Sequence, residues 1–356
     1  MKDINPGAFY HKLDSKREQF PMNGQLELTY RCNLDCVHCY CKGSENKGIE
    51  LTTDKWKNIL DIMNSEGALF VTFSGGDPLV RDDFLEIYDY AKRKGLIITV
   101  FTNACGLTEK ILKRFKQSPP FSVEVTINGI TPDTYESVTR IKGSFKKVMS
   151  NLEKLKKAGV RLIIKSNCLT LNKHEVAKVK KWTEGFLGKP ARKRHYFKYD
   201  PMIYPRLNGD KSPCNYRLSI SEIDNLRKDD PDIWEEYNRS LKSDMPDLER
   251  DRKFLYRCNS WMKQFFIDPF GRMKCCEFSD KCSVDLSEDS FREGFYNIFP
   301  QLLTEKFKTK SKCKDCPVRA LCYQCPGRAY LETGNEEAPV DYYCMLAHET
   351  EKRLKK

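Results

Sequence analysis

Cys32-Asn33-Leu34-Asp35-Cys36-Val37-His38-Cys39 places three thiols within eight residues, spaced Cys-x3-Cys-x2-Cys. A loop of this kind can turn all three sulfurs toward one inorganic centre. Thiolates are soft ligands that favour iron–sulfur clusters or zinc. A cubane cluster held by only three thiolates keeps one iron free of protein ligands, open to a substrate or cofactor. The alternative is a structural zinc site completed from elsewhere, although zinc loops usually pair thiols as Cys-x2–4-Cys.

The loop follows a strand-like run, Gln25-Leu26-Glu27-Leu28-Thr29-Tyr30, and the text then alternates strand and helix. Strands are expected over 69–74, 97–102, 122–127, 161–166 and 195–200. Helical periodicity marks 53–66, where Trp56, Ile59, Leu60 and Met63 share a face, and also 83–94, 108–116 and 145–158. Asn172 and Glu175 have the spacing of a capping box that opens the next helix. Repeats of strand and crossover helix require a parallel sheet, and right-handed crossovers curl it toward a barrel. In such folds the working loops lie at the C-terminal ends of strands. The cysteine loop, Gly75-Gly76, Asn103, Asn128-Gly129 and Asn167 all follow strands and would surround one mouth. The expected fold class is α/β, a partial (β/α)6 TIM-like barrel over 24–201 behind an N-terminal arm over 1–23.

The rest of the chain of 356 residues changes character. Residues 202–252 are rich in proline and charge and read as a bridging segment, with a Ser219–Glu222 capping box opening a short helix. Residues 253–356 are cysteine-rich. No apolar run is long enough to span a membrane, and the first residues lack the apolar core of a signal peptide. A cytoplasmic location is therefore expected. Sixteen cysteines in a reducing compartment point to metal binding rather than disulfides. The net charge of +12 comes from lysines spread along the chain, which a solvated surface explains. An acidic partner fits this charge, whereas no nucleic-acid recognition motif accompanies it.

The cysteine loop after strand one and Ser74-Gly75-Gly76-Asp77-Pro78 after strand two together resemble the radical S-adenosylmethionine (SAM) superfamily. Asp77 stands where that family more often has Glu. The resemblance implies that Cys32, Cys36 and Cys39 ligate a [4Fe–4S] cluster whose open iron takes the amino and carboxylate groups of SAM. Reductive cleavage of SAM would then yield a 5′-deoxyadenosyl radical that abstracts hydrogen from a substrate. The glycines let backbone approach the SAM amino group, and carbonyls there, with Asp77, suit an ammonium. His38 lies where the family often has an aromatic residue beside the adenine. Thr126 and Asn128 are candidate ribose contacts, Arg140 a bidentate clamp for the SAM carboxylate, and Asn103 a further contact.

The C-terminal cysteines resemble the SPASM extension of radical SAM enzymes, which carries two auxiliary [4Fe–4S] clusters. Gly271-x4-Cys276 fits its pattern, and Cys313-x2-Cys316-x5-Cys322-x2-Cys325 is one residue shorter at its end than the family run. Carried over, the pattern gives Cys258, Cys276 and Cys325 to the first auxiliary cluster, with Cys282 or Cys275 as a fourth ligand or an open iron. Cys313, Cys316, Cys322 and Cys344 would hold the second. A pair of zinc sites is the alternative. Cys105 and Cys168 follow strands three and five and are candidate hydrogen donors to a substrate radical; small buried hydrophobes are the plainer reading.

SPASM proteins often crosslink, epimerise or oxidise residues in a polypeptide, so the resemblance implies a peptide or protein substrate. It also implies a low-potential electron donor such as flavodoxin or ferredoxin. About 25 residues precede the barrel, leaving no room for a fused leader-binding domain, so leader recognition would fall to a separate protein or another surface. Alternatives within the class are an anaerobic sulfatase-maturating, formylglycine-forming enzyme and a small-molecule or tetrapyrrole radical enzyme. The alternative outside it is an iron–sulfur electron-transfer or zinc-structured binding protein.

Overall fold

The computed structural model describes residues 19–45, 48–188, 196–228, 230–231, 234–235, 253–258, 260–286 and 290–354. The expected arm over 1–18, His195 at the head of the sixth expected strand, and residues 236–252 of the bridging segment lie outside them.

Six parallel strands follow one another across the sheet: β1 (Asn23–Thr29), β2 (Phe70–Gly75), β3 (Ile97–Thr102), β4 (Ser122–Thr126), β5 (Leu162–Asn167) and β6 (Phe197–Asp200). Each connection runs through helix: α1 (Thr53–Ser65), α2 (Phe84–Arg93), α3 (Glu109–Gln117), the pair α4 (Pro132–Thr139) and α5 (Ser144–Lys157), then α6 (Val176–Leu187). Threonines open three of them. Thr52, Thr108 and Thr131 accept the amides of Lys55, Ile111 and Thr134, satisfying donors that a helix start leaves unpaired.

Side chains alternate across each strand. Leu26, Leu28, Val71, Phe73, Ile98, Val100, Val123, Val125, Leu162 and Ile164 are buried in one continuous core with Trp56, Tyr88, Phe115 and Leu152 of the helices. The intervening positions, Gln25, Ser74, Phe101, Thr126, Lys165, Asn167 and Asp200, line a cavity on the other face. A closed barrel fills this space with packed aliphatic layers; here polar residues surround a void.

Two local expectations change. Asn172 and Glu175 do not form a capping box. Asn172 is buried and bonds the carbonyls of Asn128 and Asn167 at 3.0 and 2.8 Å, and Glu175 accepts the amides of Ile130 and Thr131 at 2.7 and 3.2 Å. Both side chains tie loops together instead. Helix α4, whose eight residues carry little apolar periodicity, does not stand out in the sequence. It ends on Arg140 in the left-handed region (φ 61°).

The sheet does not stop at β1. β7 (Gln264–Ile267) adds to its free edge in parallel, and the hairpin β7–β8 (Arg272–Lys274) continues antiparallel to β9 (Val284–Asp285). The cysteine-rich region is thus grafted onto the barrel by main-chain bonds. Phe265 of β7 is fully buried, with Phe291 and Phe295 packed edge-on at 4.9 and 6.1 Å between ring centroids. The Ser219–Glu222 capping box forms as expected and opens α7 (Ile220–Lys228). Two further helices, α8 (Pro326–Thr333) and α9 (Asp341–Leu354), pack with this segment. Arg217 grips Glu332 of α8 with two bonds of 2.8 and 2.7 Å.

Phe265→Ala removes the ring that joins the two parts of the sheet. Such truncations cost about 3–5 kcal/mol, so we expect a markedly lower denaturant midpoint, read by circular dichroism.

Candidate active site

The C-terminal ends of the strands surround a cavity of about 400 Å³ that is also walled by Tyr204, Glu277, Phe278 and Arg328. Its geometry begins with two glycines. Gly75 closes β2 at φ 120°, and a Cβ there would lie 2.1 Å from the Thr29 carbonyl oxygen. A Cβ on Gly76 would meet the carbonyl oxygens of Arg31 and Tyr30 at 2.4 and 2.5 Å. The backbones therefore touch directly, through Gly76 N–H to Thr29 O at 2.8 Å and Asp77 N–H to Arg31 O at 3.0 Å.

This contact fixes the start of the cysteine loop, and α4 fixes the rest. The amides of Asp35 and Val37 donate to the carbonyls of Thr139 and Val138, each at 3.0 Å. Cys32, Cys36 and Cys39 all face the cavity. The Cys32 sulfur accepts from the Leu34 amide and the Asn103 side chain, each at 3.4 Å. Burial, with the Asp77 charge second, pushes the Cys32 thiol up to about 12. Burial and the facing Cys39 and Cys32 raise Cys36 well above its usual value. Cys39 goes the other way, held down to about 7 by its hydrogen bond with Cys41, and a cationic centre among the three sulfurs would favour the thiolate at all of them. Among the described residues no three His, Cys, Asp or Glu side chains converge tightly enough for a single metal ion.

The remaining expected contacts separate into two groups. His38, Gly75, Gly76, Asn103, Thr126 and Asn128 line the cavity. Burial holds His38 down to about 4, so it is neutral near pH 7, and its buried Nδ1 has no hydrogen-bond partner among the described residues. The buried Ser74 hydroxyl is likewise unpartnered, so the cavity offers polar atoms that a bound polar molecule would satisfy. Asp77 is not among the lining residues. It lies behind the glycines, fully buried, and its carboxylate accepts Leu79 N–H, Thr102 O–H and Asn103 N–H at 2.9, 2.7 and 2.8 Å. Its part is to set the end of β3 rather than to meet a ligand. Arg140 is exposed and donates to the Tyr216 hydroxyl at 3.1 Å, a bond it must leave to reach the cavity.

Cys105 and Cys168 do not open onto the mouth as hydrogen donors there would. Both are buried and absent from the cavity wall, because the turns after β3 and β5 direct them into the core. Cys105 bonds the Ser144 carbonyl at 3.7 Å, and burial raises both thiols. The thiol that does face the cavity is Cys41, 3.5 Å from the Cys39 sulfur. Its separation of two residues from Cys39 was the one available signal.

Lower on the wall, burial pushes the Lys165 ammonium down to about 8 and the Glu277 carboxyl up to about 7. Neither residue stands out in the sequence, because inward-facing positions become visible only once strand register is known.

The C-terminal thiols gather in two neighbouring places. Cys313, Cys316, Cys322, Cys325 and Cys344 line a cavity of about 50 Å³. Gln324 donates from its amide to Cys322 Sγ at 3.5 Å and from its side chain to Cys313 Sγ at 3.6 Å. Cys325 also lies against Cys276, whose thiol burial and this neighbour push up to about 12. Cys275 is buried close to Cys276, Cys282 and Cys258, so the two arrays meet at Cys325.

Comparison with known proteins agrees with this geometry. The radical SAM superfamily matches residues 26–182. The AdoMet-dependent heme synthase of Methanosarcina barkeri is 27% identical over 90% of this chain and 95% of its own length. The PqqA peptide cyclase of Bradyrhizobium diazoefficiens is 24% identical over 95% of this chain and 91% of its own. The mycofactocin maturase MftC of Mycolicibacterium smegmatis is 35% identical, but the match spans 37% of this chain and 34% of that protein. Streptococcus suis SuiB bound to precursor peptide SuiA shares the fold, with a TM-score of 0.69 and 14% identity over 96% of this chain and 80% of that one. The loop, the glycine pair and the partial barrel are those of a SAM-dependent radical enzyme. Residues 26–182, the barrel with its cysteine loop and glycine pair, match the radical SAM superfamily, whose members use SAM and a [4Fe–4S] cluster.

Gly76→Ala forces a methyl against two backbone carbonyls. We expect SAM-dependent 5′-deoxyadenosine formation to fall at least tenfold, roughly the effect of a catalytic misplacement of about 1 Å, as measured by chromatography of anaerobic reactions.

Proposed function

We propose that the chain is a peptide- or protein-modifying radical SAM enzyme, with Cys32, Cys36 and Cys39 as ligands of its SAM-cleaving cluster. One observation carries this reading. The three thiols, the glycine pair and the SPASM residues Phe278 and Arg328 all open on the same cavity of about 400 Å³, so a reaction started at the loop occurs beside the cysteine-rich region. The group supplies, when bound, an electron that cleaves SAM and so a 5′-deoxyadenosyl radical that takes hydrogen from the substrate.

The chain's own residues do the rest. Gly75 and Gly76 would offer backbone to the SAM amino group, and Thr126 and Asn128 would meet the ribose. The neutral His38 ring would serve the adenine without adding charge there. Asn103 holds the Cys32 sulfur through its amide, and hydrogen bonds of this kind tune a cluster's potential. Arg140 would clamp the SAM carboxylate after releasing Tyr216. Leu34, Ile203 and Met202 give the mouth an apolar rim that excludes water.

The auxiliary sites follow the two thiol arrays. Cys313, Cys316, Cys322 and Cys344 would hold one cluster, with Gln324 donating to two of its sulfurs. Cys258, Cys276 and Cys325 would hold the other, with Cys275 or Cys282 completing it. These clusters would take an electron from a product radical or bind a substrate thiolate. A flavodoxin or ferredoxin would supply the low-potential electron, and a separate protein could present a leader peptide.

The peptide reading is supported by the PqqA peptide cyclase match over most of both chains and by the shared fold of SuiB, which has been seen with a precursor peptide. The heme synthase match, over 95% of that protein, favours a second reading, chemistry on a tetrapyrrole side chain. Mass spectrometry of products separates them, since a crosslinked or oxidised peptide loses two hydrogens whereas a decarboxylated porphyrin loses carbon dioxide.

Anaerobic reconstitution should give about twelve irons per chain and dithionite-dependent 5′-deoxyadenosine. Replacing Cys32, Cys36 and Cys39 by Ala should remove about four irons and abolish cleavage while leaving the remainder. Zinc in place of iron, or cleavage that survives the triple substitution, would sink the assignment.

A further inference from the structure

The wall formed by β5 and the C-terminal region carries two cations that the mechanism above does not use. The Lys165 ammonium lies 3.2 Å from the centre of the Phe101 ring. Its one ion pair among the described residues is with Glu124 at 3.3 Å, and Lys198 holds the same carboxylate at 3.0 Å. One carboxylate therefore answers two ammonium groups. The two lysines are register neighbours on β5 and β6, so this excess follows from strand alignment.

Arg328 is stronger evidence. Its guanidinium stacks on Tyr204, 4.3 Å from the ring centre, and donates to the Tyr323 carbonyl at 3.3 Å. Among the described residues the buried Nε has no hydrogen-bond partner and the guanidinium has no ion-paired carboxylate. Lys165, Arg328 and Glu277, which accepts from Gln25 at 3.2 Å, line the same cavity. Lys165 is also the register neighbour of Thr126, so the seat adjoins the surface offered to the ribose, and SAM affinity is read beside the peptide preference.

A guanidinium withdrawn from water with no ion-paired carboxylate is costly, and an entering carboxylate gains charge-assisted hydrogen bonds to it and to the ammonium that shares Glu124 with Lys198. Resting on the peptide-modifying reading, we infer that Lys165 and Arg328 form a seat for a carboxylate of the substrate. The segment delivered to the cavity thus carries an acidic side chain or a free C-terminus beside the reacting residue.

The test uses the reconstituted full chain, immobilised with SAM under anaerobic conditions and presented with pools of short synthetic peptides. The pools differ only in Glu against Gln at one position, or in a free against an amidated C-terminus, which separates the two carboxylate sources. Mass spectrometry of retained peptides should show carboxylate forms enriched about tenfold or more, the effect of one charge-assisted hydrogen bond. Lys165→Met should abolish the preference. Lys165→Glu should reverse it toward the Gln and amidated forms, a preference that a misfolded variant cannot produce. Equal retention of carboxylate and amide forms by the wild type, retention of no pool, or a preference unchanged in Lys165→Met overturns the seat. SAM affinity by equilibrium dialysis should stay within twofold in Lys165→Met. A tenfold loss there with no peptide preference assigns the cation to the SAM carboxylate and overturns the inference. Formation of 5′-deoxyadenosine by the wild type is scored separately, so the seat can fail while the radical reading stands.

Discussion

The direct contact of two backbones, Gly75-Gly76 against the carbonyls of Thr29 to Arg31, is the constraint on which the site depends. No side chain fits between them. Because β2 is pressed against the end of β1, the cysteine loop leaves the sheet at one fixed point. The same contact places Asp77 so that its buried carboxylate receives Thr102 and Asn103 from β3. Asn103 in turn reaches Cys32. A close approach permitted by the absence of two Cβ atoms is thus relayed through hydrogen bonds to a sulfur atom.

Inside the partial barrel the usual economy of a packed core is given up. Glu27 is buried and held by the hydroxyls of Tyr30 and Tyr40, and Glu124 is shared by two lysines. Charges withdrawn from water in this way rarely stabilise a fold. Their neighbours Lys165 and Glu277 line the cavity that the three thiols also line. The stability they sacrifice is supplied outside the barrel, where the aliphatic faces of the strands meet the helices and where Phe265, Phe291 and Phe295 fasten the C-terminal region.

Much of this was legible in the chain. The six barrel strands lie within two residues of their expected limits. These features are local, because alternation and turn residues write themselves into a few consecutive positions. The errors fall where a residue's partner is distant. Asn172 and Glu175 have capping-box spacing yet bond to loops more than forty positions away. Cys105 and Cys168 follow the right strands yet turn inward. Asp77 follows the glycines yet serves the backbone behind them. Helix α4, too weakly patterned to be seen, holds the cysteine loop through two amides.

The chain by itself determined the chemistry at the start of the reaction, since Cys-x3-Cys-x2-Cys and the glycine pair each act through short-range geometry that consecutive residues fix. It also determined that the C-terminal thiols come in arrays, because their spacings are local. Only the tertiary structure decided that β7 extends the barrel sheet, that the two thiol arrays meet at Cys325, and that Lys165 and Arg328, far apart in sequence, face the same space. Those outcomes depend on strand register and on edge pairing. Both are set by which surfaces bury one another, and that information is spread over the whole chain rather than written in any one stretch.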